Sequence, residues 1–267
     1  GMTDDFIDRA MMTMAITFEY YGATKDFDRI LDKLDNIIEE GKSIIDSSIS
    51  PKPLIGMVGE IYLRTHSQSN QDLIRVLERH GAEVLNASVA EWVNYTTYDK
   101  MREAKIGLRL NLKQFRIKKV KEYLKKVLSY GGDLYYQQIR QKQVYKRVKD
   151  LIDLAGDHRI DHLEKILKEE DLFSFDVGTE ACLSVAGIME FIREGFNGVV
   201  NVYPFTCMPS IITSAIVNPI INRAKVPYLD TPYDGTYQPG REAAIRTFMY
   251  QAQQHFERNG RVDLKNL

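Results

Sequence analysis

Cysteine is scarce in this chain: Cys182 and Cys207 are the only two in 267 residues. Two thiols make no disulfide framework, so a reducing compartment, the cytoplasm, is the expected location. No apolar run reaches the about 18–20 residues that span a bilayer. The N-terminus lacks the basic-then-apolar profile of a secretion signal, so no membrane association is expected. An excess of either charge is also missing. The 36 Lys and Arg against 37 Asp and Glu leave −1, which gives no reason to expect nucleic acid as a partner. There is no Walker loop, no GxGxxG, no Cys-x-x-Cys, no repeat and no low-complexity tract. Gly1 ahead of Met2 reads as a tag remnant, and the chain as a piece of something longer.

What is present is an alternation of apolar β-branched runs with helical stripes. Residues 1–50 read as a helical lead-in. One stripe is Phe6, Ala10, Met14, Ile16 and Phe18, and a second is Ile30, Leu31, Leu34, Ile37, Ile38, Ile44 and Ile45. Pro53 to Glu60 reads as a strand, and Ser69 or Asn70 as the cap of a helix ending at His80-Gly81. Glu83 to Ala87 reads as a second strand, which completes a parallel βαβ unit. From Arg102 to Lys149 fifteen cations face only Glu103, Glu122 and Asp133. Residues 99–150 therefore read as a basic helical insertion, with Gly131-Gly132 expected to separate two helices. Its charge fits a solvated face first, or an electropositive surface for a partner or for the phosphates of a nucleotide-like cofactor. Glu180 to Glu194 is expected to be helical, Gly198 to Tyr203 a third strand, Val226 to Asp230 a fourth, and Arg241 to Phe256 a last helix. The fold class is therefore α/β: a Rossmann-like parallel sheet of about four strands with helices on both faces. Its domain would be drawn from residues 51–98 and 151–258.

Ligands in such sheets bind beyond the carboxyl ends of the strands. The run Asn201 to Ser210 puts Cys207 there, between a buried strand and a helix whose first turn holds Pro209. A helix N-terminus favours a thiolate. Cys207 is thus a candidate metal ligand or nucleophile, set against the plain reading of a small buried hydrophobe. His66, after strand one, is the best placed of five histidines for a Cys-His pair. Glu60, Arg64 and Ser69 in the same loop, Glu91 and Trp92 after strand two, Asn201 in strand three, and Asp230 and Asp234 after strand four all fall at that edge. Glu60, Arg64, Glu91 and Asn201 are the candidate substrate-binding residues; each also has an ordinary reading as a cap or loop contact. His158 and His162 have the spacing to share a metal, but Asp157 and Asp161 beside them favour an exposed helix face. Cys182 reads as core.

Three stretches together carry a family likeness: Ile55 to Arg64 with Ser69 to Ile74; Glu91-Trp92; and Gly195 to Pro209 with Val226 to Gly235 and Phe248 to Ala252. They resemble the C-terminal region of the large 2-hydroxyacyl-CoA dehydratase-related proteins, also known as CoA-substrate-specific enzyme activases. Pro204-Phe205-Thr206-Cys207-Met208-Pro209 is the most specific part. The resemblance implies an iron–sulfur cluster held between related α/β domains, with Cys207 as one ligand. It also implies low-potential electron transfer in anaerobic metabolism, and an acyl-CoA as substrate. Two cysteines cannot fill a four-thiolate set. The other ligands are therefore expected from the remainder of a longer polypeptide or a partner subunit, with the cluster absent from the isolated chain. Hydro-lyase activity would then need that missing part. The rival expectations are a cluster-free binding or assembly module of the same fold, and a Cys207-dependent enzyme.

Overall fold

A computed structural model describes residues 2–22, 26–149 and 156–264. Gly1 and the expected boundary between insertion and α/β domain, at 150/151, lie outside the described residues. The described residues fall into two compact units. One comprises those within 1–51 and 136–156 together with Leu264; the other comprises Lys52–Tyr135 and Asp157–Asp263.

In the first unit α1 (Met2–Tyr21) runs against α2 (Phe27–Lys42). Helix α2 buries Ile30, Leu31 and Ile38 from the second apolar stripe. Helix α1 buries only Thr17 and leaves Ile16 and Phe18 exposed, so its expected stripe is not a core stripe within this unit. Gly41 lets the Phe6 ring approach to 3.0 Å of where a Cβ would stand. Arg9 pairs with Glu40, and the Arg140 guanidinium stacks 4.2 Å from the Phe27 ring.

The second unit holds four parallel strands: β1 (Leu54–Gly59), β2 (Glu83–Asn86), β3 (Gly198–Pro204) and β4 (Tyr228–Tyr233). Their order is β2-β1-β3-β4. Strands β1 and β3 are central and buried on both faces, which is why both read as unbroken apolar runs. Side chains alternate between the faces. Ile55, Met57, Val200 and Val202 pack with Leu73 and Leu77 of α4 (Leu73–Arg79) and with Ile245, Phe248 and Met249 of α10 (Arg241–Asn259). The opposite face carries α8 (Ala181–Glu194) and α9 (Met208–Ala224). Helix α8 is buried on nearly every side, as its apolar sequence requires. Gly56 makes room for Phe191, whose ring would lie 2.3 Å from an added Cβ.

Two further helices extend from β2: α5 (Val89–Lys113), capped by the Ser88 hydroxyl, and α6 (Ile117–Lys149). The expected break at Gly131-Gly132 is not there. Helix α6 runs through both glycines, and the chain turns instead at Gln114–Arg116, where Phe115 takes φ 54°. Interior glycine costs a helix only about 1 kcal/mol each, too little to end one that is otherwise sustained. Helix α7 (Ile160–Glu169) packs on α8, and a single 3₁₀ turn spans Phe175–Val177. Helix α4 is not capped by Ser69, whose hydroxyl is bonded to His66 Nδ1 at 2.8 Å. Asn70 Oδ1 accepts from the Leu73 N–H at 3.2 Å. The fourth strand starts two residues later and ends three residues later than expected and includes Pro232, which an edge strand tolerates. Arg241 Nη2 donates to the Pro232 carbonyl at 2.8 Å. No helix among the described residues is long and apolar enough to cross a membrane.

Asn197, at the foot of β3, is fully buried. Its Oδ1 accepts from the Leu54 N–H at 2.9 Å and its Nδ2 donates to the Gly260 carbonyl at 2.8 Å. It ties the start of β1 to the end of α10.

Two tyrosines at 5% exposure, Tyr95 and Tyr233, give the unit a pH limit. Burial pushes Tyr233 up to about 12, with Arg241 opposing; burial, then the nearby Cys182, Asp99 and Glu180, raises Tyr95 as well. Above the ordinary value of 10.0 the unfolded chain loses these protons while the fold retains them. Stability should therefore fall as pH rises from about 10, by about 1.4 kcal/mol per pH unit for each group. Urea unfolding at about pH 9 and about pH 11 should differ by about 2.7 kcal/mol from these two groups, and by more because burial also raises Tyr98 and Tyr228. Equal stabilities would contradict it.

Candidate functional site

In the order β2-β1-β3-β4 the chain's direction of winding reverses between β1 and β3. The crevice beyond their carboxyl ends is where doubly wound sheets take ligands. Gly59 ends β1 at φ 122°, and an added Cβ would stand 2.0 Å from the Val202 carbonyl oxygen. That close approach lets the Glu60 N–H donate to Val202 O at 2.9 Å. Glu60 then caps the short helix α3 (Ile61–Thr65), accepting from the Tyr62 and Leu63 N–H groups at 3.1 and 2.8 Å.

Helix α3 turns Arg64 inward to 5% exposure. One guanidinium nitrogen donates to Ala87 O, while Nε is buried without a partner. Burial lowers the Arg64 pKa, and the charges of Glu91, Glu180 and Glu60 oppose that. Glu91 comes from the first turn of α5 and is also 5% exposed. Glu180 precedes α8; burial pushes its carboxyl up, although Trp92 Nε1 donates to it at 2.9 Å. Arg64, Glu91, Trp92 and Glu180 line one crevice, whose cavity volume of about 10 Å³ is at the lower limit for holding a single water. Behind it, His158 Nδ1 lies 3.5 Å from Glu91 Oε2, and Nε2 lies 3.2 Å from Glu194 Oε1. Burial works against charge on this imidazole, but Glu194 and Glu91 outweigh it and push its pKa up to about 10.

Of the sequence-derived candidates, Glu60, Arg64 and Glu91 therefore fall in one neighbourhood. Asn201 does not join them. It is fully buried in β3 between Val58 and Asp230. Its Nδ2 donates to Asp230 Oδ1 at 3.0 Å, and the same oxygen accepts from Ser214 Oγ at 2.7 Å and Tyr228 OH at 2.8 Å. Asp234 accepts from the Thr236 N–H in a turn of its own. Glu180 and Glu194 were not singled out from the sequence, and His158 was considered there only together with His162. An acid just ahead of an apolar helix was the only local signal for Glu180.

Cys207 is the N-cap residue of α9, with its N–H bonded to Pro204 O at 2.9 Å; it is half-buried and free. Phe205, Met208 and Ile211 around it are exposed. His66 is engaged elsewhere, stacked on Tyr62 at 4.8 Å, and no hydrogen bond joins it to Cys207 among the described residues. Cys182 is fully buried in α8. Its thiol donates to Ser174 O, and burial pushes its pKa up. Cys207 is thus the only thiol at the surface. The sole group of three metal-ligand side chains among the described residues, His158, Glu190 and Glu194, contains no cysteine. A four-thiolate iron–sulfur cluster does not fit the described residues of this chain acting alone.

Comparison with family models, with curated proteins and with solved structures finds no match.

Proposed function

We propose that this chain is a domain or subunit of a 2-hydroxyacyl-CoA dehydratase-type iron–sulfur protein, and that its part is to present Cys207 as a single thiolate on an apolar docking face. The observation that carries the reading is the setting of Cys207. It sits at the first turn of a 17-residue helix, beside the β1/β3 reversal, among exposed Phe205, Met208 and Ile211. An apolar surround is the kind of surface a partner covers. The remaining ligands come from another domain or a partner chain. Two free cysteines suit a reducing cytoplasm.

A second reading, a cluster-free binding module of the same fold, is favoured by the crevice itself. Arg64, Glu91, Trp92 and Glu180 occupy it with their own side chains. Anaerobic reconstitution with iron, sulfide and excess small thiol separates the two, because the small thiol supplies the missing ligands. Broad visible absorption and bound iron are expected for the parent chain and for Cys182→Ala, and should be lost in Cys207→Ala. Equal iron in parent and Cys207→Ala removes Cys207 from the cluster and leaves the second reading.

A further inference from the structure

We propose that His158, His162, Glu190 and Glu194 form a binding site for one divalent first-row transition-metal ion of the zinc class. The site is independent of Cys207. Glu190 and Glu194 are one turn apart and so share a face of α8. Helix α7 packs on α8, and it carries His162 in its first turn with His158 just ahead of it. One donor atom each from His158, Glu190 and Glu194 lies within 4.8 Å of the others. His162 Nε2 stands 2.8 Å from Glu190 Oε1, and His158 Nε2 stands 3.2 Å from Glu194 Oε1. Tetrahedral zinc with ligand bonds of about 2.1 Å separates its donors by about 3.4 Å, so small side-chain adjustments bring the donors of His158, Glu190 and Glu194 to one ion; His162, held at Glu190, is the neighbour that would supply the fourth.

Two observations outside the four side chains point the same way. Glu194 Oε2 is buried and has no hydrogen-bond partner. Two separate His–Glu ion pairs leave that oxygen orphaned, whereas a cation between the helices satisfies it. The ring nitrogen of His158 that faces away from Glu194 meets buried Glu91 at 3.5 Å. A carboxylate behind a ligating histidine is the usual means of fixing the ring and raising its basicity. The donor set decides the ion class. Imidazole and carboxylate without thiolate suit zinc, iron(II), manganese or cobalt, and two imidazoles disfavour calcium and magnesium, which ask for oxygen donors. The ion would bind the α7 segment to α8, and through Glu91 to α5.

The test is titration of the chelator-treated full chain with cobalt(II), followed by zinc(II) displacement. The visible absorption of tetrahedral cobalt at one ion per chain is expected, and zinc should abolish it. The spectrum should be lost in His158→Ala and in Glu190→Gln/Glu194→Gln, the latter checked for native circular dichroism because glutamine retains the helix contacts. Glu91→Gln, with all donors intact, should keep the spectrum and weaken cobalt binding about 10–100-fold. Cys207→Ala should change nothing. A folded parent chain that gives no cobalt spectrum overturns the site, as does a spectrum that survives in the folded double variant.

Discussion

Gly59→Ala should all but unfold the α/β unit. The added Cβ meets backbone, the carbonyl and amide of Val202 at 2.0 and 2.7 Å, and not a side chain that could rotate away. It also forces alanine to φ 122°. Strain at such a conformation costs about 1–3 kcal/mol by itself, and separating the two central strands adds to it. The sum is about 4 kcal/mol or more, a large share of the 5–15 kcal/mol typical of a domain. Gly81→Ala and Gly235→Ala are the controls. Both glycines have positive φ but nothing within 4 Å of an added Cβ, so each should cost only about 1–2 kcal/mol. Urea midpoints of the three variants decide the matter, and a Gly59→Ala chain as stable as the controls would refute the role given to the strand contact.

Arg64→Met should cost about 3–5 kcal/mol, since removing one partner strands the buried charges left behind. Methionine refills much of the volume, so lost packing is a small part of that figure. The losses are the Ala87 hydrogen bond and the countercharge shared by Glu91, Glu180 and Glu60. The sign of its pH dependence follows from Glu180, whose carboxyl burial already holds above 4.5. Without Arg64 that shift grows, so the fold binds a proton that the unfolded chain releases. The deficit is then smallest at low pH and widens as pH rises through the carboxylate range. Stability of Arg64→Met relative to the parent should therefore recover on going from about pH 8 to about pH 5. Adding Glu180→Gln should restore part of it at neutral pH. A pH-independent deficit would mean that packing, and not charge, is the larger effect.

The strands were legible because β1 and β3 are buried on both faces and must be apolar throughout; no helix period competes in six or seven residues. The Cys207 turn was legible from Pro204 and Pro209, whose backbone limits fix the end of one element and the start of the next. Glycine pairs were a poorer guide. Gly131-Gly132 fit inside α6 because propensity is small beside the continuity of a long helix, while Phe115, a residue with no turn preference, takes the left-handed conformation. The site was half legible. Glu60, Arg64 and Glu91 each follow a strand, and local pattern finds such positions. Their partners Glu180, His158 and Glu194 lie far along the chain, and only the packing of α8 against α5 and α7 brings them there. Asn201 had the right strand end but the wrong depth: its amide nitrogen is held by Asp230 and Ser214 inside the protein, and its Oδ1 is buried without a hydrogen-bond partner.

The way β4 ends has a consequence for assembly. A neighbouring chain that tried to extend the sheet would need free donors and acceptors along its rim. At Pro232 it finds no N–H at all, and the carbonyl there is already held by Arg241. The opposite rim, β2, offers four residues, the first of them a glutamate paired with Arg261. Growth into fibrils by strand addition is therefore discouraged on both sides, and a partner has to approach by the strand ends or the helices.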